Sequence, residues 1–384
     1  MQRIKELDSI RGLAALAIVL FHLRLPSVSV FGFAVDLFFV LSGYLITTII
    51  LSNVQTDGFL LSFYARRGLR IWPVYYLALA AVVLINGWLP TPGNLADLPY
   101  YLTYTQEAVH SWMGREPTFP VAFRHTWSLA IEEQFYILWP VIIWLAGRRG
   151  LHAMVFIMVG TAVSTRAWGV SEFVLITRCD GLALGGLLAA LIGDPTRTPQ
   201  VSSRGRTRFV IFSLVAPGAV LLALLSAGQL NAFWPGTVSP RMTHSLKMLW
   251  VNLVLFATTG AIVLHSGCAQ LSWLRNPALM YLGTISYGLY VYHHIIIKVW
   301  ENLALHYGWP DNPIVELCKL GASIALAILS WHLVERPILA LKKLFRYQPS
   351  RSFAGSGSLA GQRFAVRFTP ADCSPEVPTG PGIA

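Results

Sequence analysis

Charge is what this sequence has least of. Only 12% of its 384 residues are Asp, Glu, Lys or Arg, about half the share carried by an ordinary soluble domain. Hydrophobic residues make up 55% and mean hydropathy is +0.57, so there is too little polar material to cover a water-facing surface of this size. A soluble globular protein is thereby excluded. Cysteine is scarce too: Cys179, Cys268, Cys318 and Cys373 stand singly, with no paired spacing for zinc or a redox motif. No HExxH or comparable spacing of ligands occurs, so no metal is expected. Acidic residues number 18 against 29 Lys and Arg, a net charge of +11. The basic residues are scattered over separate short segments and form no continuous groove, which argues against a nucleic-acid partner. Neither a repeat of fixed period nor a pair of inverted halves is visible.

Long apolar runs are what the chain has in quantity. Ten spans are expected, at Ile10 to Leu25, Phe33 to Leu51, Trp72 to Leu89, Glu133 to Ala146, His152 to Trp168, Val174 to Ile192, Phe209 to Ala227, Leu246 to His265, Ala278 to Val299 and Val315 to Val334. Several are short against the roughly 20 residues of a straight crossing, so their ends are loose by a few residues. With the N-terminus inside, most Lys and Arg fall on one side, among them Arg66, Arg67, Arg70, Arg148, Arg149, Arg197, Arg204, Arg206, Arg208, Arg275 and those from Arg336 onward. The expected fold is an all-α integral membrane protein of about ten transmembrane helices, both termini cytoplasmic. Residues 1–346 form the bundle. Residues 347–384, rich in Gly, Ser and Pro without helical period, read as a disordered cytoplasmic tail. Glu6 and Asp8 before the first run, and His22 and Arg24 at its end, mark a retained span rather than a cleaved signal. Between the third and fourth spans, "LADLPYYLTYTQEAV" reads as a short interfacial or re-entrant piece able to cover an outward site.

Ionisable groups inside spans cost at least about 2.5 kcal/mol each at the bilayer centre and mark functional sites by default. Arg11 and His22 are eleven residues apart, which returns them to one helix face about 16 Å apart along the axis. His22 and Asp36 flank one outer connection. A carboxylate on Nδ1 would fix the histidine tautomer for general-base work, so a His22 and Asp36 pair is expected; the plainer alternative leaves His22 at the interface, bonded to a backbone carbonyl. Arg66, Arg67 and Arg70, near Tyr64 and Trp72, suit a nucleotide or phosphate, since guanidinium forks bind phosphate oxygens in pairs. In "HTWSLAIEEQFYILWP", Glu132 and Glu133 point about 100° apart, so at most one faces the bundle interior. "TRCDGLALGG" adds Arg178 and Asp180, "SYGLYVYHH" adds Ser286, Tyr287, Tyr290 and His293, and "LVERP" adds Glu335.

These stretches, with "ELDSIRGLAALAIVLFH", "VDLFFVLSGYLI" and "FYARRGLRIWPVYY", stand in the order and at about the separations of the membrane acyltransferase-3 family, which the chain resembles over about Glu6 to Pro337. The resemblance implies an acyl-CoA-dependent O-acyltransferase of the cell inner (plasma) membrane. It would move an acyl group, acetyl in the usual case, from cytoplasmic acyl-CoA to a hydroxyl of a cell-surface or exported glycan. Acyl-CoA would be a co-substrate, with no bound cofactor, and a separate periplasmic or extracellular partner is possible because no fused esterase-like domain follows the bundle. Arg11 and His22 match the family's arginine and histidine pair, Arg67 and Arg70 its basic motif, and Trp127, Ser128 and Glu132 its tryptophan, serine and glutamate element. The expected catalytic set is His22, Asp36, Arg11 and Glu132, with Arg66, Arg67 and Arg70 for the donor. Trp127, Ser128, Arg178, Asp180, Ser286, Tyr287, His293 and Glu335 would hold the acceptor or oxyanion, or support the site. The rival reading is a transporter or flippase for a glycolipid or acyl carrier, using the buried charges without chemistry.

Overall fold

The computed structural model describes residues 4–23, 29–90, 92–111, 113–115, 118–192, 203–233, 236, 238–309 and 312–347. The expected tail beyond Tyr347, Arg24 and the loop arginine Arg197 lie outside them. The fold is all-α: 86% of it is helical, and no strand occurs among the described residues. In chain order the helices are α1 (Lys5–His22), α2 (Ala34–Asn53), α3 (Phe59–Ile85), the short α4 (Leu98–Leu102), α5 (Glu107–Ser111) and α6 (Val121–Arg124), then α7 (Trp127–Trp168), α8 (Leu175–Ile192), α9 (Ser203–Phe233), α10 (Pro240–Leu264), α11 (Pro277–Tyr307), α12 (Pro313–Ser330) and the short α13 (Arg336–Ala340). Eight stretches among the described residues are long and apolar enough to cross a membrane. Outside that set, α1 carries Lys5, Glu6, Asp8 and Arg11 in its first two turns, and α11 is built around its Tyr and His residues. The fourth and fifth expected spans are the two limbs of α7, which bends at Gly147, φ 63° and ψ −173°, a backbone conformation reserved for glycine.

One boundary differs in a way that matters. The basic stretch before Trp72 is not a loop: α3 begins at Phe59, after Gly58 in the left-handed region, and runs through Pro73. Apolar Phe59, Phe63 and Ile71 bury against the bundle at helical spacing, and that burial outweighs the hydrogen bond Pro73 removes. The arginines therefore project from a rigid helix.

Two close crossings set the centre of the bundle. Where α1 meets α11, a methyl group on Gly283 would lie 1.9 Å from the Asp8 carbonyl oxygen, and one on Gly12 would lie 2.5 Å from the Gly283 nitrogen. Where α2 meets α8, a methyl on Gly43 would lie 2.0 Å from the Leu182 carbonyl oxygen, and one on Gly185 would lie 2.1 Å from that of Val40. Small residues bring helix backbones together where lipid offers no hydrophobic drive for association. The consequence is that Arg11 and His22 of α1 face Tyr287, Tyr290 and His293 of α11. At the periphery, α9 exposes Leu214, Val215 and Leu222, as a lipid-facing helix does.

The segment between α3 and α6 is folded on Asp97. Its carboxylate accepts hydrogen bonds from the Thr118 nitrogen at 2.7 Å, the Thr118 hydroxyl at 2.8 Å and Arg115 Nη1 at 3.2 Å, while Arg115 Nη2 closes a second bond to the other oxygen. The Arg115 guanidinium holds this carboxyl down to about 2.

Candidate active site

Two cavities open in the bundle, each with about 790 Å³ of empty space, the open solvent at its mouth included. The arginine cavity is lined by Arg11, Arg67 and Arg70, with Glu132 its single carboxylate and Ile18, Ser128 and Tyr290 toward its other end. The histidine cavity is lined by His22, His125 and His294, with Trp127, Tyr101 and Phe173 as aromatic walls. The same helices serve both. On α1 the cavities are one turn apart, Ile18 facing one and His22 the other, and Ser128 and His125 divide in the same way across the start of α7. Arginine forks at one end supply fixed positive charge for an anion; imidazoles at the other supply proton acceptors at hydroxyl reach.

Four imidazoles meet at this boundary, with ring centroids 5.0 Å apart for His22 and His293, 5.1 Å for His22 and His294, and 4.9 Å for His125 and His293. Hydrogen bonds to carbonyls assign their tautomers, since a carbonyl only accepts. His22 Nδ1 donates to Ile18 O at 2.9 Å and meets His293 Nε2 at 3.3 Å. His293 Nδ1 donates to Tyr290 O at 2.6 Å, which leaves its Nε2 free to accept that longer branch. His125 Nε2 donates to Tyr290 O at 3.1 Å. In the neutral ring, His22 therefore keeps its Nε2 lone pair unengaged at the edge of the histidine cavity. No group of three or more His, Cys, Asp and Glu among the described residues is placed to hold a metal ion.

The expected His22 and Asp36 pair does not form. Asp36, fully buried, instead accepts from Arg178 Nη1 at 3.1 Å, and the Arg178 guanidinium lies 5.4 Å over the Trp127 ring. Two residues along α8, Asp180 pairs with Arg166 Nη2 at 2.8 Å, and Arg166 Nη1 donates to Thr177 O at 2.6 Å. A buried carboxylate next to an equally buried guanidinium is satisfied there and has no need of a half-exposed imidazole. The tautomer role falls to Ile18 O and His293. Arg66 also departs from the donor set: its Nη1 donates to Lys342 O and Phe345 O, each at 3.1 Å, and its guanidinium sits 5.4 Å over Tyr347. It clamps the segment after α13 and does not line the arginine cavity. Tyr64 and Trp72 lie outside the cavity as well. Tyr64 donates to Ile137 O at 2.7 Å and the Trp72 indole to Glu133 at 3.3 Å; the ring over Arg67 is Tyr136, at 4.9 Å.

Glu132 enters the arginine cavity, accepting from Ser42 and Tyr136, each at 2.8 Å. Glu133 is buried against Trp72 rather than placed at an interface. The candidate oxyanion hydroxyls are committed within the protein: Tyr287 donates to Ile71 O and Ser286 to Gly283 O, both at 2.8 Å. Tyr290 donates to His125 O at 2.7 Å, so the 2.7 Å contact to Ser128 is one in which Ser128 donates. Glu335 ends a π turn, Trp331–Glu335, with both oxygens buried and no hydrogen-bond partner, among the charges of Arg70 and Arg11. His125 stands with Glu132 and Glu133 in the stretch the sequence reading singled out, without an assigned role; His294 and Arg166 had no role in it, and each is an ionisable group in a predicted span, which is the signal that points to them.

The acyltransferase domain family, acyltransferase-3, matches residues 4–332. A Bacillus subtilis (strain 168) protein carrying the provisional name peptidoglycan O-acetyltransferase YrhL is 30% identical over 382 residues, covering 91% of this chain and 56% of its own. The Listeria monocytogenes peptidoglycan O-acetyltransferase OatA is 26% identical over 363 residues, covering 87% of this chain and 56% of its own. A provisionally named O-acetyltransferase of Staphylococcus aureus (strain COL) is 27% identical over 374 residues, covering 88% and 57%. The chain thus spans little more than half the length of these relatives. No solved structure matches it. With its arginine and histidine cavities set in a helical membrane bundle, the chain belongs to the acyltransferase-3 family of multi-pass membrane proteins.

Proposed function

We propose that the protein transfers an acetyl group from acetyl-CoA to a hydroxyl of a peptidoglycan-like surface glycan. The arginine cavity takes the donor from the cytoplasmic face, and the histidine cavity takes the glycan from the outer face of the plasma membrane. The observation that carries this reading is the division of α1 between them: Arg11 and Ile18 belong to one cavity and His22 to the other. Arg11, Arg67 and Arg70 meet the phosphates of the donor. Its pantetheine arm then follows α1, where Arg11 and His22 differ by about 16 Å of rise. His22 Nε2 removes the proton of the acceptor hydroxyl, the oxygen attacks the thioester carbonyl, and the leaving thiolate recovers a proton. Acid and base assistance of this kind supplies roughly 10² to 10⁴ in rate. Glu132, between Ser42 and Tyr136, orders the wall of the donor cavity. An external partner presents or carries away the glycan.

Glycan mass analysis of cells with and without the protein tests this, together with a His22→Ala variant. Each modified sugar gains one acetyl unit with the wild type and none with the variant, while binding of acetyl-CoA persists in both. Full turnover by His22→Ala overturns the assignment. Recovery of intact thioester on the far side of a vesicle identifies a carrier instead.

A further inference from the structure

The histidine cavity gathers an unusual set of atoms. Gln106 Oε1, Glu107 Oε2, His125 Nδ1 and His294 Nδ1 all belong to residues that line it, and all are buried without a hydrogen-bond partner. The orientation of the first three is fixed by their other ends. Gln106 Nε2 donates to Thr126 O at 3.1 Å, Glu107 Oε1 accepts from Gln134 Nε2, and His125 Nε2 donates to Tyr290 O. What remains on each is an acceptor. Gln106 is 2% exposed, His125 5% and Glu107 8%, so bulk water does not satisfy them. A buried acceptor left unpaired is costly, and several on one cavity call for an occupant rich in donors. The walls are the rings of Tyr101, Trp127 and Phe173, which suit the C–H face of a ring-shaped ligand. Many hydroxyl donors on a ring with apolar faces describe a sugar.

We infer that the histidine cavity is a sugar subsite in which ring hydroxyls and amide N–H groups donate to Gln106, Glu107, His125 and His294, placing one further hydroxyl against His22. This rests on the acyl-transfer reading for the identity of the acceptor. The residues at issue are positioning residues, and His125 is the sharpest probe because its two nitrogens do different things. A glutamine there places an N–H near the position of Nε2 and keeps the bond to Tyr290 O, but offers no acceptor in place of Nδ1. An asparagine places its oxygen near Nδ1.

The test is binding of soluble peptidoglycan glycan strands and, separately, of acetyl-CoA to the full chain in lipid nanodiscs, by titration calorimetry. His125→Gln is expected to raise Kd for the glycan about five- to tenfold, the loss of one hydrogen bond, with Kd for acetyl-CoA within twofold. His125→Asn recovers most of the glycan affinity, and Glu107→Gln weakens it by a similar factor. Unchanged glycan affinity in His125→Gln overturns the subsite, as does an equal loss for both ligands, or a wild type that binds acetyl-CoA and no glycan. A wild type that binds glycan and no acetyl-CoA leaves the subsite standing and overturns the donor assignment instead.

Discussion

At the scale of single residues, a buried ion pair and a buried imidazole have opposite sensitivities. Asp36 and Arg178 shield each other inside the bundle, so removing one strands the other charge at a cost of about 3–5 kcal/mol. Asp36→Asn is expected to lower the thermal midpoint in detergent strongly, and the double variant Asp36→Leu with Arg178→Met to recover most of it. A rate defect without a stability defect in Asp36→Asn would return the residue to proton transfer. The two arginines at the head of the motif separate as cleanly. Arg67 lines the arginine cavity and Arg66 clamps the segment after α13. Arg67→Gln should raise Kd for acetyl-CoA about tenfold, the weight of one charged hydrogen bond. Arg66→Gln should leave it in place while residues 341–347 become more open to proteolysis. Sequence reasoning paired His22 with Asp36, whereas Asp36 pairs with Arg178 and His22 meets Ile18 O and His293. Spacing shows which charges share a face of one helix, but not which of two equally placed partners on other helices is nearer, and Arg178 was nearer to Asp36.

At the scale of elements, the crossing of α1 and α11 positions the chemistry. Gly283→Leu forces the helices apart at the Asp8 carbonyl. Overpacking of this kind typically costs 1–3 kcal/mol, and separating His22 from His293 should reduce turnover more than it reduces acetyl-CoA binding, measured side by side on purified protein. The segment over the histidine cavity has its own control. Asp97 is held at about 2, below the unfolded carboxylate range near 4. Its contribution to stability is therefore complete above about pH 4 and lost as pH falls through about 2. Hydrogen exchange across residues 94–118 should accelerate over that acid window in the wild type. In Asp97→Asn it should already be fast at neutral pH. The helices themselves were legible because apolar runs announce them. The start of α3 was not, because "FYARRGLR" reads as a basic loop until Phe59, Phe63 and Ile71 are seen to share a buried face.

At the scale of the whole molecule, the bundle is two recesses back to back. Arg11, Ile18 and His22 could be placed on one line from the sequence, since a helix has a fixed rise. The recesses could not, because they are made by residues as distant as Arg67, Gln106, Glu132 and Tyr290, and only the packed helices bring those together. That arrangement has an electrical consequence. Where solvent and ligand fill both recesses, the membrane potential no longer falls over about 30 Å of hydrocarbon. With the recesses open to opposite faces, as the proposed function has them, it falls over the stretch of α1 from Ile18 to His22, four residues or about 6 Å. The local field there is several times the average for the bilayer, and a charge that crosses that stretch exchanges close to the full 2.3 kcal/mol per 100 mV. On the proposed function, His22 is then the point at which the cell's voltage bears on the reaction.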